Sequence, residues 1–137
     1  MERLRWTGAI FLVAVTVHGV DHLRRGTDVV SAQVVAAGTF QYVAAVVAVV
    51  LVFRGHRWAP IVAAYVGFSS AVGFAGAHLL PHWSSFSDSY VHPVARGVTF
   101  FSWVTALLEI AADAAFGVAA LLAIRHSRAL DRILTRA

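Results

Sequence analysis

The chain contains no cysteine and no lysine, and only 13% of its 137 residues are charged. Without cysteine it can form no disulfide, no thiolate metal site and no thiol nucleophile, so any metal ion would be held by nitrogen and oxygen. All 11 basic residues are arginines. Because these arginines flank hydrophobic segments and form no patch on a soluble face, nucleic acid is not an expected partner.

Hydrophobic residues make up 59% of the chain, and the mean hydropathy is +0.74. This composition is too apolar for a soluble domain and indicates an integral membrane protein. Four runs approach the roughly 20 residues that span a bilayer. They are predicted at residues 6–23, 29–53, 58–80 and 98–124. The first run lacks a small-residue cleavage site, so we expect it to remain in the mature protein.

The segments between the runs are short, which predicts an up-down-up-down four-helix bundle in a single domain, residues 1–137. Eight arginines lie at one side of the predicted bundle and three at the other. The positive-inside rule therefore places both termini in the cytoplasm of a multi-pass protein, with a bacterial plasma membrane as the expected location. Residues 125–137 are predicted to form a short amphipathic helix on the inner membrane surface.

Ionisable residues occur in the apolar runs at helical spacing. His18 and His22 end the first run, a second histidine pair ends the third, and two carboxylates lie inside the fourth. Residues four apart share one face of a helix, so each pair can face a common centre. The predicted metal ligands are His18, His22, His78, Glu109, Asp113, His82 and Asp21.

The depth of each group follows from a helical rise of ~1.5 Å per residue. Counting from the predicted inner boundaries places His18 level with Asp113, and His22 level with Glu109 and His78. His82 can join them only if Pro81 does not end its helix too early, because proline disfavours helical geometry in the preceding residue.

Charged groups at the centre of a membrane helix cost ~3 kcal/mol each, so these residues need partners. Imidazole and carboxylate together suit Zn, Fe, Mn or Cu, and four-helix bundles commonly build metal sites from facing side chains. The leading hypothesis is a membrane metal-binding protein whose site opens toward the extracytoplasmic leaflet. If it is an enzyme, the metal would activate water or oxygen against a lipophilic substrate.

Two alternatives use the same residues. A haem b electron carrier would be ligated by His18 or His22 together with His78, which leaves the buried carboxylates unexplained. A proton or ion relay would continue toward the cytoplasm, and little ionisable material lies below Asp113. Membrane lipid, a lipophilic small molecule, and a second copy or larger membrane complex are the expected partners.

The outer loop between the third and fourth runs is rich in serine and aromatic residues. It is expected to lie at the membrane interface and could cover the mouth of the bundle. Asp88 and His92 in this loop are candidates for additional ligands or acid–base groups. Arg24 and Arg25, on the same side, are candidates to neutralise Asp21 or Asp28, or to bind a lipid phosphate.

Overall fold

A computed structural model describes residues 1–26 and 28–134, and this part of the chain is helical with no strand. The helices are α1 (Glu2–Arg25), α2 (Ala32–Phe53), α3 (Ala59–Phe74) and α4 (Phe100–Leu134), with a π-helical turn (Ala75–Leu79) directly after α3. Four helical segments are long and apolar enough to cross a membrane: Glu2–Arg25, Ala32–Phe53, Ala59–His78 and Phe100–Ser127. The prediction of four such helices is confirmed, and the chain has the features of a multi-pass membrane protein.

The ends of α1 and α2 differ from the predicted boundaries by a few residues. α1 begins four residues before Trp6 and continues to Arg25, with Glu2 in its first turn and arginines in its last. These charges are favourable at the two ends of a helix dipole. α2 begins three residues later than predicted, where the Ser31 side chain accepts a hydrogen bond from the backbone N–H of Val34 at 3.2 Å. A serine N-cap of this kind defines the start of a helix.

The third helix ends close to the predicted position but changes its geometry first. α3 passes into the π-helical turn at Ala75, and Leu80 has an extended backbone with ψ of 153°. Pro81 explains this conformation, because proline excludes the helical region for the residue before it.

α4 differs from the prediction at its C-terminal end. It continues without a break to Leu134, so residues 125–134 are part of a long helix and not a separate short one. No glycine or proline occurs between Gly117 and Leu134 to interrupt the backbone hydrogen bonds. Thr135–Ala137, the end of the predicted tail helix, lie outside the described residues.

The apolar core lies toward the N-terminal part of α1. α4 packs against α1 and α3, and α2 packs against the same two helices. The rings of Phe11 and Phe116 stack at the centre of this core, with centroids 4.9 Å apart. The core is formed by Leu4, Phe11, Val15, Ala45, Ala48, Val49, Val52, Ala59, Ala63, Val66, Phe116 and Ala120.

The contact between α3 and α4 depends on Gly67. A Cβ atom at this position would lie 2.7 Å from the backbone oxygen of Asp113 and 2.7 Å from the backbone nitrogen of Gly117. Only glycine therefore allows the two backbones to approach this closely. Gly73 and Gly76, in the same stretch, have no neighbour within 4 Å of an added Cβ.

Candidate metal centre

Three histidines from two segments of the chain meet at one point. His18 and His22 lie one turn apart on α1, and His78 lies on the π-helical turn. The Nε2 atom of His18 is 3.2 Å from Nε2 of His78 and 3.1 Å from Nε2 of His22. One ligand atom from each residue lies within 4.8 Å of the other two. His18 and His78 are buried at 2% and 1% exposure, whereas the His22 side chain is 23% exposed.

These distances match those of a metal coordination sphere. Zn–N bonds of about 2.0–2.1 Å at a tetrahedral angle place two ligand nitrogens about 3.3 Å apart. A right angle between the same bonds brings the nitrogens to about 2.9 Å. The two separations from Nε2 of His18, 3.1 and 3.2 Å, fall between these values. Since the ligand atoms of all three histidines lie within 4.8 Å of one another, the three residues could hold a metal ion.

The π-helical turn and the outer loop together position His78. The backbone N–H of Asp88 donates to the carbonyl of Ala77 at 3.0 Å, and that of Tyr90 donates to the carbonyl of His78 at 2.9 Å. The Tyr90 ring also contacts the His78 ring, with centroids 4.6 Å apart. Residues of the loop thereby bind carbonyls that the end of a helix leaves without partners. As a result, the loop covers His78, as the sequence had suggested for the mouth of the bundle.

The second ring nitrogen of each buried histidine faces an oxygen. Nδ1 of His78 donates to the backbone carbonyl of Asp88 at 3.0 Å. Nδ1 of His18 lies 3.4 Å from Oγ1 of Thr105, whose hydroxyl donates to the backbone carbonyl of Ser102 at 3.1 Å. Because the Thr105 hydrogen is used in that bond, its oxygen can accept from His18. A proton on Nδ1 leaves the Nε2 atom of each neutral ring as a bare lone pair.

Converging lone pairs need a positive charge between them. A single proton on His22 can link its ring to one neighbour, but it cannot link all three Nε2 atoms. A metal ion satisfies all three at once, and hydrogen bonds from the far ring nitrogen to an oxygen are the usual surroundings of metal-bound histidine. The donor set is therefore chemically suited to a transition metal that accepts imidazole.

An ion pair lies directly beside the histidines. Asp88 accepts two hydrogen bonds from Arg25, at 2.5 and 2.7 Å, and both side chains are almost completely buried. The Asp88 Oδ2 atom lies 3.6 Å from Nδ1 of His78 and 3.8 Å from Nδ1 of His22. The structure thus brings Asp88, a candidate from the loop, next to two of the predicted ligands.

Glu109 and Asp113 are completely buried at 0% exposure. Among the described residues, none hydrogen-bonds the carboxylate oxygens of either side chain. The Oε2 atom of Glu109 lies 3.8 Å from Nδ1 of His18, on the opposite side of the ring from the converging Nε2 atoms. Glu109 therefore lies beside the ligand His18 but away from the point where the three Nε2 atoms meet. Asp113 lies one turn further along α4.

The predicted levels were wrong by one helical turn. His18 lies beside Glu109, not beside Asp113. The depths were counted from Trp6 and Arg125, but α1 begins at Glu2 and α4 continues past Arg125. The predicted inner boundaries at Trp6 and Arg125 therefore lie within helices and do not mark where the helices end.

The remaining candidates lie elsewhere. Asp21 is buried and accepts hydrogen bonds from Arg24 at 2.9 and 3.0 Å, as the sequence had suggested. His82 is exposed and does not share a helix face with His78, because the extended Leu80 ends the helix before Pro81. His92 is also exposed, and its carbonyl accepts a hydrogen bond from the backbone N–H of His82 at 2.8 Å.

Several residues of the site were missed from the sequence. Thr105 was not singled out, and Arg25 was not matched with Asp88. Tyr90 is one of the loop aromatics expected at the membrane interface, but it is 2% exposed and packs between His78 and Trp103. Burial raises the pKa of the Tyr90 phenol above its usual range. The helical spacing of positions 11, 15, 18, 22 and 25 is a signal in the sequence that would have placed Arg25 on the histidine face of α1, and all of these residues except His22 are buried.

No protein-family model, no curated protein and no solved structure matches this chain. The functional conclusion therefore depends on the geometry of the site and on its chemistry.

Proposed function

We propose that this chain is an integral membrane protein that binds a divalent transition metal through the Nε2 atoms of His18, His22 and His78. The observation that carries the proposal is the position of the His18 Nε2 atom, 3.1 Å from Nε2 of His22 and 3.2 Å from Nε2 of His78, with Nδ1 of His18 and His78 turned toward oxygen. Zn, Fe, Mn and Cu all accept imidazole ligands.

Glu109 and Asp88 are proposed to act around the ligands. Glu109 faces Nδ1 of His18, and Asp88 faces Nδ1 of His22 and His78. Carboxylates in these positions fix the ring orientation and increase the basicity of the metal-bound nitrogen. Three protein ligands leave a further coordination position for water or a substrate, which is the arrangement of catalytic metal sites. Hydrolysis or oxygen chemistry on a lipophilic substrate is the enzymatic form of the proposal.

The orientation of the chain in the membrane is part of the proposal. The arginine distribution supports an up-down bundle with cytoplasmic termini, and it favours an extracytoplasmic position for the histidine end. His22, the most exposed of the three ligands, supports access from that side. We also propose that the bundle is one domain, and that lipid and further copies of the chain are its partners.

The two alternatives fit the geometry less well. In bis-histidine haem ligation the porphyrin separates the two rings, whereas the rings of His18 and His78 touch, with centroids 4.9 Å apart. A relay to the cytoplasm would have to pass the stacked rings of Phe11 and Phe116. Residues 114–124 of α4 also contain no ionisable side chain.

Metal analysis of the full chain tests the proposal. We expect the protein purified in detergent to contain about one equivalent of metal per chain and to show no Soret band. His78→Ala should remove the metal, whereas the matched variant His82→Ala, at an exposed histidine four residues away, should retain it. A metal-free protein after gentle purification and incubation with Zn²⁺, or equal binding by both variants, would contradict the proposal.

A further inference from the structure

We propose that Arg25 and Asp88 form a charge pair that sets the affinity of the histidine centre, with Asp88 favouring the cation and Arg25 opposing it. This inference rests on the proposed metal site. It assigns a role to two residues that donate no ligand atom.

Asp88 is placed to act on two ligands together. Its backbone carbonyl accepts from Nδ1 of His78 at 3.0 Å, and its Oδ2 atom lies 3.6 Å from the same nitrogen. The Oδ2 atom is also 3.8 Å from Nδ1 of His22. One residue therefore faces the outer nitrogens of two imidazoles, where a negative charge strengthens both as metal ligands.

Arg25 holds Asp88 in this position. The guanidinium donates from Nη1 and Nη2 to the two carboxylate oxygens, and its Nε donates to the backbone carbonyl of Arg96 at 3.1 Å. The guanidinium carbon also lies 5.5 Å from the centre of the Tyr90 ring, which packs on His78. The positive charge of Arg25 is thus held against Asp88 and Tyr90, and each of these two residues lies beside the ligand His78.

The two charges have opposite effects on a cation. Three neutral imidazoles contribute no negative charge, so a divalent ion depends on nearby groups for compensation. The Arg25 side chain is 0% exposed and that of Asp88 is 2% exposed, so solvent screens neither charge effectively. Asp88 attracts the ion and Arg25 cancels part of that attraction. Removing either charge should therefore change the affinity, in opposite directions.

A purely structural role predicts a different result. Arg25 connects α1 to the outer loop through Asp88 and Arg96. If the pair only held the loop over the histidines, removing either partner would loosen the loop and weaken metal binding. The sign of the effect of Arg25→Gln therefore separates the two roles.

The experiment measures Zn²⁺ affinity of the full chain in detergent by competition with a chromophoric chelator. We expect Asp88→Asn to raise the Kd by about 10- to 100-fold. Arg25→Gln should lower the Kd by about tenfold, and the double variant should return it close to the unsubstituted value. Arg54→Gln removes the same charge at an exposed position after α2 and should leave the Kd unchanged.

The other outcomes distinguish a failure of the charge role from a failure of the metal centre. If Arg25→Gln weakens binding, or has no effect, the charge role is wrong while the metal centre stands. If the unsubstituted protein binds no Zn²⁺, or His78→Ala binds it equally well, the metal centre itself is wrong, and the inference falls with it. Should Arg25→Gln fail to fold, the double variant decides the question, because it leaves neither charge unpaired. It must bind Zn²⁺ more tightly than Asp88→Asn does, and equal or weaker binding overturns the inference.

Discussion

The Nε2 atoms of His18 and His78 lie 3.2 Å apart although 60 positions separate the two residues in the sequence. This contact joins α1 to the π-helical turn after α3, and the loop that follows covers it. Because the site combines segments that are far apart in the sequence, metal binding requires that the bundle be correctly folded.

Metal should stabilise the folded chain. A ligand that binds only the folded state adds about 2.7 kcal/mol of stability at a free concentration 100-fold above its Kd. We expect the thermal unfolding temperature in detergent to rise on addition of Zn²⁺ and to fall on addition of a chelator. His18→Ala should abolish both changes, while His92→Ala, at an exposed histidine, should preserve them. A Zn²⁺-dependent shift that survives in His18→Ala would argue against the site.

Glu109 and Asp113 should differ in their effect on metal binding. Glu109 faces Nδ1 of His18 at 3.8 Å, so Glu109→Gln is expected to weaken Zn²⁺ binding by about 10- to 100-fold. Asp113 lies one turn deeper, and Asp113→Asn should leave the affinity nearly unchanged. Chelator competition with both variants measures this difference. Equal losses would mean that both carboxylates act on the ion.

Gly67 should be necessary for the contact between α3 and α4. Gly67→Ala places a Cβ atom 2.7 Å from the backbone of α4, and backbone atoms cannot yield as a flexible side chain would. We expect a loss of about 1–3 kcal/mol in the free energy of unfolding. Gly73→Ala is the matched control, since its Cβ would meet nothing within 4 Å. Denaturant unfolding in detergent gives both values, and equal stability of the two variants would contradict the observed helix contact.

Tyr90 should limit stability at alkaline pH. Its pKa is raised in the folded state by burial, so the unfolded chain loses the phenolic proton at a lower pH than the folded chain does. The contribution that the buried Tyr90 phenol makes to the free energy of unfolding is therefore fully present below the unfolded-state pKa of about 10. It is lost as pH rises above that value. We expect the unfolding temperature to fall less steeply above pH 10 in Tyr90→Phe than in the unsubstituted chain. Parallel curves would show that Tyr90 does not titrate on unfolding.

Local residue patterns predicted the four helices correctly, and they singled out the three histidines that meet in the structure. Four long apolar runs correspond to four helices, since hydrophobic length and helix propensity are properties of short segments. The spacing of His18 and His22 placed them on one face of α1, and Pro81 correctly indicated the end of the helix that carries His78. These inferences need only the residues within a few turns of one another.

The relative depths of the groups were not predictable in this way. An error of a few residues in a predicted membrane boundary moves every group counted from it by several ångströms, and such an error placed His18 level with Asp113. The π-helical turn, which aims His78 at His18, has no marker in its own five residues, Ala75–Leu79.

Composition and local periodicity were enough to predict that this chain consists of apolar helices carrying histidines and carboxylates at helical spacing. The tertiary structure alone decided which of these groups meet. It brought three histidines together, turned Asp88 and Arg25 toward two of them, and left His82 and His92 exposed. These choices depend on the register between helices and on the path of the outer loop, which are set by packing between residues far apart in the chain.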